Sequence, residues 1–252
     1  MSVSSSGDPR PPVWVQTFPL RHSEVDRRGV IKLRTVFDLA QEAAANHASA
    51  IGVGMRYLAE QRRAWMLSRI RFDFPGDLPR IGDDAAVETY PRGIAGRLFA
   101  AREFRLRNQA GTLFAAGTSW WILVDLDRLR PLALPGSLPC ELPDNSMRGC
   151  RFAELEKFTP PAGEVIRRFT VPESGIDVNC HLNNAEYAAL VHDYLAGTGR
   201  SAADLGSLQL DFIAGALSGD TIELAAEPLP DGFRFGGVCG GKGVFAARGW
   251  WK

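Results

Sequence analysis

The chain is written twice, and that duplication limits what it can fold into more than any single element does. Repeats take precedence over secondary structure because a missed repeat misassigns the whole architecture. The stretch "IDVNCHLNNAEYAALVHDY" lies without gaps on "VDRRGVIKLRTVFDLAQEA", so Asp177 falls on Asp26, Leu182 on Ile31, Tyr187 on Val36 and Leu190 on Leu39. Downstream, "IGDDAAVETYP" resembles "SGDTIELAAEP" and pairs Gly82-Asp83 with Gly219-Asp220. Further on, "LFAAGTSWW" (113–121) resembles "VFAARGWW" (244–251) with one residue slipped. Three matches in the same order define a tandem duplication.

Each copy reads as a helix followed by antiparallel strands. Leu33, Val36, Phe37, Ala40, Ala44 and His47 follow the i, i+3, i+4, i+7 rule, and Tyr187, Leu190, Val191 and Tyr194 share one face in the second copy. "SRIRFDF" alternates Ile70, Phe72 and Phe74 as a strand does; "NQAG" and "GGKG" mark hairpin turns between later strand-like runs. The expected fold class is α+β, with a sheet curled around a central helix in each unit. The expected layout is a frayed tail over 1–12, one unit over 13–134, a linker over 135–163 and a second unit over 164–252. The alternative for the proline-rich 135–163 segment is an irregular excursion within one unit.

Twenty-nine basic and 29 acidic residues balance, so no global field favours nucleic acid or a membrane surface. No run approaches the roughly 18 apolar residues of a membrane span. The start "MSVSSSGDPRPP" lacks the apolar core of a signal peptide. Cys140, Cys150, Cys180 and Cys239 form no CxxC pair and no metal-ligand spacing, which fits a reduced, cytoplasmic setting. His22, His47 and His192 are scattered and read as packing or surface residues, so no metal is expected. Arg97, Arg102, Arg105 and Arg107 on one predicted hairpin, with Arg62 and Arg63, read either as a solvated face or as a docking surface for an acidic partner.

The chemistry concentrates in "DVNCHLNNAEY", residues 177–187, ahead of the second helix. Read as extended chain, Asp177, Asn179, His181 and Asn183 point one way, and Val178, Cys180 and Leu182 the other. Asn183 or Asn184 is placed to cap the helix, which sets the polar group against free backbone N–H groups. Such a set suits addition to a carbonyl: an Asp aligns or deprotonates water or attacks, an Asn orients it, a His moves a proton, and helix-terminal N–H groups hold an oxyanion. Turn and capping roles alone are the competing reading. The repeat supplies a control, because the first copy holds Arg28 and Val30 where the second has Asn179 and His181, and keeps only Asp26. That asymmetry favours a single active site in the second half and a structural Asp26. A Cys180–His181 nucleophile pair is disfavoured, since adjacent strand residues point apart.

At these residues the chain resembles the acyl-acyl carrier protein thioesterases, tandem hot-dog proteins of bacteria and plastids, over nearly all of 14–251. "DVNCHLNNAEY" is similar to the family's D-x-N-x-H-x-N-N-x-x-Y signature, "LRTVFDLAQEAAANHASAIG" to its helix with Q-E-x-A-x-N-H, and "SWWILVDLDRLRPLALP" to its tryptophan strand and exit. The resemblance implies hydrolysis of a fatty acyl thioester on acyl carrier protein, without a cofactor, by Asp177, Asn179 and His181. It implies an acidic carrier-protein partner and a tandem unit that is a monomer or a homodimer. One departure stands out: the family's Glu, in a Y-x-x-E-like pattern, falls on Gly215 of "LDFIAGALSGD", with Asp211 and Asp220 the nearest acids. The alternatives are an acyl-coenzyme A thioesterase and a non-catalytic acyl or carrier-protein binder. A hot-dog dehydratase predicts a different residue set.

Overall fold

The duplication reappears in the hydrogen bonds, turn by turn. The computed structural model describes residues 10–134 and 136–252. Its first half runs β1 (Trp14–Pro19), α1 (Leu33–Ala50), α2 (Met55–Glu60), β2 (Arg63–Asp73), β3 (Asp84–Ala95), β4 (Phe99–Asn108), β5 (Leu113–Asp125) and the two-residue β6 (Arg130–Pro131). The second runs β7 (Arg167–Thr170), α3 (Asn184–Gly197), β8 (Leu205–Phe212), β9 (Thr221–Leu229), β10 (Gly232–Cys239) and β11 (Lys242–Trp251). Ahead of β3, Asp83 Oδ2 accepts the Arg80 N–H at 2.7 Å, and its carbonyl accepts the Leu20 N–H. Ahead of β9, Asp220 Oδ2 accepts the Leu217 N–H at 2.8 Å, and its carbonyl accepts the Val171 N–H. Gly82 and Gly219 precede these aspartates at φ +89° and +83°, a backbone region open to glycine and strained for other residues.

All strands except β6 form one antiparallel path, β1-β3-β4-β5-β2-β8-β11-β10-β9-β7, and β6 pairs with β5. The halves join where β2 meets β8, with Arg69 opposite Asp211 and Asp73 opposite Ser207. Both expected hairpins form. Asn108 and Thr112 close the first, and Gly240 and Gly241, at φ +54° and +79°, turn the second. The sheet curls over α1 and α3, which pack side by side. The α1 residues expected to face inward, Leu33, Val36, Phe37, Ala40, Ala44 and His47, are all buried, as are Tyr187, Leu190 and Val191 of α3; Tyr194 is half-buried.

The outer face of the sheet is polar at its centre. In cross-strand register, Glu103, Thr118, Arg71, Gln209, Arg248, Arg234 and Glu227 form a row from β4 to β9. Between Pro131 and Arg167 the described residues hold only a 3₁₀ turn at Ser146–Arg148, and this irregular segment crosses that row. Its backbone groups find partners there. Phe152 N–H donates to Thr118 Oγ1 (3.1 Å), Phe158 N–H to Asp211 Oδ2 (3.0 Å), and Gln209 Nε2 donates to the Glu156 carbonyl (2.6 Å). Arg71 lies between the Phe152 and Trp250 rings, 4.2 and 4.1 Å from their centroids. A segment without its own ladder stays down because the sheet's side chains complete its hydrogen bonds. Of the expected frayed tail, residues 1–9 lie outside the described residues. Pro11 and Pro12 are tied down, their carbonyls accepting from His47 and Asn145.

The Arg69–Asp211 pair, 3.2 Å apart and 3% exposed on the Asp side, anchors this arrangement. Asp211→Ala strands the Arg69 charge and the Phe158 N–H together. It is expected to cost about 3–5 kcal/mol, read from urea unfolding; a loss under about 1 kcal/mol, typical of an exposed pair, would contradict this account.

Candidate active site

Segment 177–183 is a turn, not the extended strand that alternation suggested. Asp177 Oδ1 accepts the Asn179 N–H at 2.8 Å, and the Asp177 carbonyl accepts the Cys180 N–H at 2.9 Å. Cys180 takes φ +61°, and the Asp177 N–H closes the loop on the His181 carbonyl at 2.9 Å. An Asx turn won because an aspartate side chain satisfies its own local backbone more cheaply than a distant strand would. Val178, expected to pack inward, is 75% exposed, and Cys180 is exposed as well; only Leu182 goes to the core. The first copy makes the same turn. Asp26 Oδ1 accepts from Arg28 and Val30, and Gly29 at φ +73° stands where Cys180 does. Burial would raise the Asp26 carboxyl, yet the backbone N–H groups of Val30 and Arg28 hold it below the ordinary range.

Asn183 caps α3, its Oδ1 accepting the Ala185 N–H at 2.8 Å. The turn and this helix start form one wall of a cavity of about 610 Å³, which Asp177, Val178, Asn179, Asn183 and Asn184 reach from the second half. The remaining lining comes from the first half and from Leu142 and Ile176, with Ala44, Ala45 and Ala48 of α1, Trp65, Trp121 and Ala100 giving it an apolar body. The site thus combines second-copy polar groups with a first-copy hollow.

Asp177 and Asn179 reach that cavity, whereas His181 is not on its wall. The His181 ring lies directly against Gly215: a Cβ at 215 would overlap the imidazole, meeting Cδ2 first, with Nε2 at 2.5 Å and Cγ at 2.8 Å. Among the described residues the ring makes no hydrogen bond. The equivalent pair in the first copy is Val30 and Leu78, since Ile31 N–H bonds to Pro79 O as Leu182 N–H bonds to Ala216 O. A larger residue in the turn is matched by a smaller one facing it. The two acids nearest Gly215 in sequence are occupied elsewhere. Asp211 lies under the 135–163 segment on the outer face, and Asp220 holds its own loop.

Residues the motif alone did not single out complete the site. Gln41 Oε1 accepts from Asn184 Nδ2 at 3.3 Å, linking α1 to the start of α3, and Glu42 accepts from Asn46 Nδ2 at 3.2 Å on the same cavity wall. Burial, then the Asp177 charge, push the Tyr187 phenol up, so it stays protonated beside the turn. The arginines of the 97–107 hairpin do not share a face. Arg102 is buried with Phe104 and Leu106, Arg105 bonds Glu88 at 2.9 Å on the other side, and Arg97 and Arg107 are exposed. Strand alternation separates them. Arg62 pairs with Asp127, while Arg63 lines the cavity. Among the described residues no cluster of His, Cys, Asp and Glu could hold a metal ion, and no helix is long and apolar enough to cross a membrane.

Residues 11–138 match the acyl-ACP thioesterase N-terminal domain, and residues 159–236 its C-terminal domain. The chain belongs to the acyl-ACP thioesterase family. As an acyl-ACP thioesterase family member it is 24% identical over 213 residues to a dodecanoyl-[acyl-carrier-protein] hydrolase, chloroplastic, of Umbellularia californica, a match covering 79% of this chain and 55% of the relative. It is 22% identical over 218 residues to oleoyl-acyl carrier protein thioesterase 1, chloroplastic, of Arabidopsis thaliana, covering 79% and 59%. The chain thus spans little more than half the length of these curated relatives. The fold is that of an acyl-ACP thioesterase from Bacteroides thetaiotaomicron (TM-score 0.83, 20% identity, 96% and 98% covered) and of the 12:0-ACP thioesterase from Umbellularia californica (TM-score 0.75, 21% identity, 96% and 98% covered). The α+β tandem hot-dog expectation holds.

If Gly215 is small because His181 needs the space, Gly215→Ala must displace the ring. The expected result is a stability loss of about 1–3 kcal/mol, as for other overpacked sites, together with a shifted His181 imidazole signal by NMR. Unchanged stability and an unmoved signal would show that the ring is not seated there.

Proposed function

We propose that this chain hydrolyses the thioester of a fatty acyl chain carried on acyl carrier protein, releasing the free acid and the carrier thiol. One observation carries the reading: Asp177 and Asn179 line the same cavity as the small residues Ala44, Ala45 and Ala48 of the other copy's helix. In this reading the acyl chain lies along Ala44, Ala45 and Ala48, and the thioester carbonyl stands at the turn. Asp177 Oδ1 is engaged by the Asn179 N–H, which leaves Oδ2 to take a proton from water as its oxygen adds to the carbonyl carbon. The Asn179 carboxamide orients that water. Collapse of the tetrahedral intermediate breaks the C–S bond, and a proton goes to the departing sulfur.

His181 serves that proton transfer, or binds the pantetheine arm, from the flank of the turn. Support comes from its ring nitrogens, which have no hydrogen-bond partner among the described residues, and from the Gly215 seat that fixes the ring. With Gly215 at the family's Glu position, Asp177 is the acid left at the turn to activate water. No step calls on a cofactor. Cys140, Cys150, Cys180 and Cys239 stand as free thiols, which supports a reducing compartment such as the cytoplasm.

Asp177→Asn is the direct test, because the amide oxygen still accepts the Asn179 N–H and the turn survives. Thiol release from acyl carrier protein thioesters is expected to fall by about 100-fold or more, at an unchanged melting temperature. A wild-type rate would reject the assignment. Equal turnover of coenzyme A and carrier-protein thioesters of one acyl chain would point to the acyl-coenzyme A alternative.

A further inference from the structure

The cavity contains a charge that an unmodified fatty chain does not satisfy. Arg102 lies on the inner face of β4, 8% exposed, and lines the cavity. Its Nη1 bonds to His47 Nδ1 at 3.1 Å and to Thr89 Oγ1 at 3.2 Å. His47 Nε2 lies 2.8 Å from the Pro11 carbonyl, an acceptor only, so Nε2 carries the hydrogen and Nδ1 accepts from the arginine. Burial, with the adjacent guanidinium, pushes the His47 pKa down to about 4, in keeping with a neutral ring. Both partners of Arg102 are therefore uncharged. Among the described residues no carboxylate pairs with it, and its Nε and Nη2 have no protein acceptor.

The largely buried arginines on the outer face of this sheet are treated differently. Arg69 pairs with Asp211 at 3.2 Å and Arg248 with Asp231 at 2.6 Å. A buried charge is costly unless paired and hydrogen-bonded, so a lone one on a cavity wall calls for a ligand group. Closing plain methylene groups over it would strip its water and return no hydrogen bond.

We propose that Arg102 is a specificity-determining residue that selects acyl groups carrying an oxygen acceptor, a hydroxyl, oxo or carboxylate oxygen, well beyond the thioester carbonyl. The position along the chain follows from α1. His47, which holds the guanidinium, lies six residues past Gln41, the residue bonded to Asn184 at the turn. At 1.5 Å per residue the arginine sits about 9 Å deeper. The oxygen belongs several carbons along the acyl chain, not on the carbons next to the carbonyl. This inference rests on the reading that the cavity takes the acyl group.

Calorimetric titration with three neutral-headed probes tests it without requiring turnover: methyl decanoate, methyl 10-hydroxydecanoate and monomethyl decanedioate. The ester stands in for the thioester, and only the distal group varies. Wild type is expected to bind at least one oxygenated probe about tenfold more tightly than methyl decanoate. Arg102→Met is expected to abolish or invert that preference, and Arg102→Lys, which keeps the charge, to retain part of it. Equal affinity for all three probes, or a preference for methyl decanoate in wild type, overturns the proposal whether or not the variants fold. Binding of none of them overturns the cavity reading, and the proposal with it. Tight, Arg102-dependent binding alongside no thioester hydrolysis would uphold the arginine's role while rejecting the enzymatic reading.

Discussion

The pairing of β2 with β8 is the contact on which the rest of the molecule depends. Each half, taken alone, is a curled sheet with β2 or β8 as a bare edge, a row of unpaired N–H and C=O groups. Setting Arg69 through Asp73 against Asp211 through Ser207 removes both edges at once and makes a single sheet. That join also brings α1 beside α3, and with it the turn of one copy against the helix of the other. The candidate site is a product of the interface between duplicates, because the 177–183 turn and most of the cavity wall come from different copies.

Alternation in the central strands gives the sheet two distinct environments. Ile70, Phe72, Leu208 and Leu210 face the helices, while Arg69, Arg71, Gln209 and Asp211 face outward under the 135–163 segment. Glu103 and Asp211 both have carboxyls raised by burial, which hydrogen bonds and arginines only partly offset. This polar outer layer is what lets an irregular stretch cross a sheet without leaving its own backbone groups unsatisfied. The connection between the copies is thereby part of the fold, and the path it must take from β6 to the distant edge strand β7 is held in place along its length.

The repeat, the inner faces of both helices and the two hairpins were legible because they rest on short-range periodicity and turn chemistry, which survive in one dimension. The 177–183 segment was misread for an instructive reason. Its polar residues at every second position mimic a strand, yet Asp177 and Cys180 close a local turn that no periodicity reports. Its twin around Asp26, where Gly29 occupies the left-handed position, was a signal available in the sequence. Arg102 was legible too: it alternates in step with Phe104 and Leu106, which assigns it to the interior rather than to a basic surface. The seat of His181 on Gly215 and the covering of Asp211 depended on contacts between distant parts of the chain, which a sequence does not display.

Why the turn's polar groups and most of the cavity come from different copies is seen in the side chains each helix carries. Tyr187 and Tyr194 of α3 meet Phe212, Phe233, Phe235 and Phe245, with ring centroids 4.7–5.7 Å apart, so aromatic contacts pack this helix against the sheet. At the matching places α1 carries Val36 and Ala43, and its cavity-facing residues include Ala44, Ala45 and Ala48. The small side chains of Ala44, Ala45 and Ala48 leave room for the cavity beside them. The 177–183 turn is backed through Asn183, Leu182 and the Gly215–His181 contact, and it borders a cavity lined mostly by the first copy. Under the proposed reading, division of labour after duplication, one half presenting polar groups at a turn and the other lining most of the cavity, accounts for a single site in a molecule with two copies of the fold.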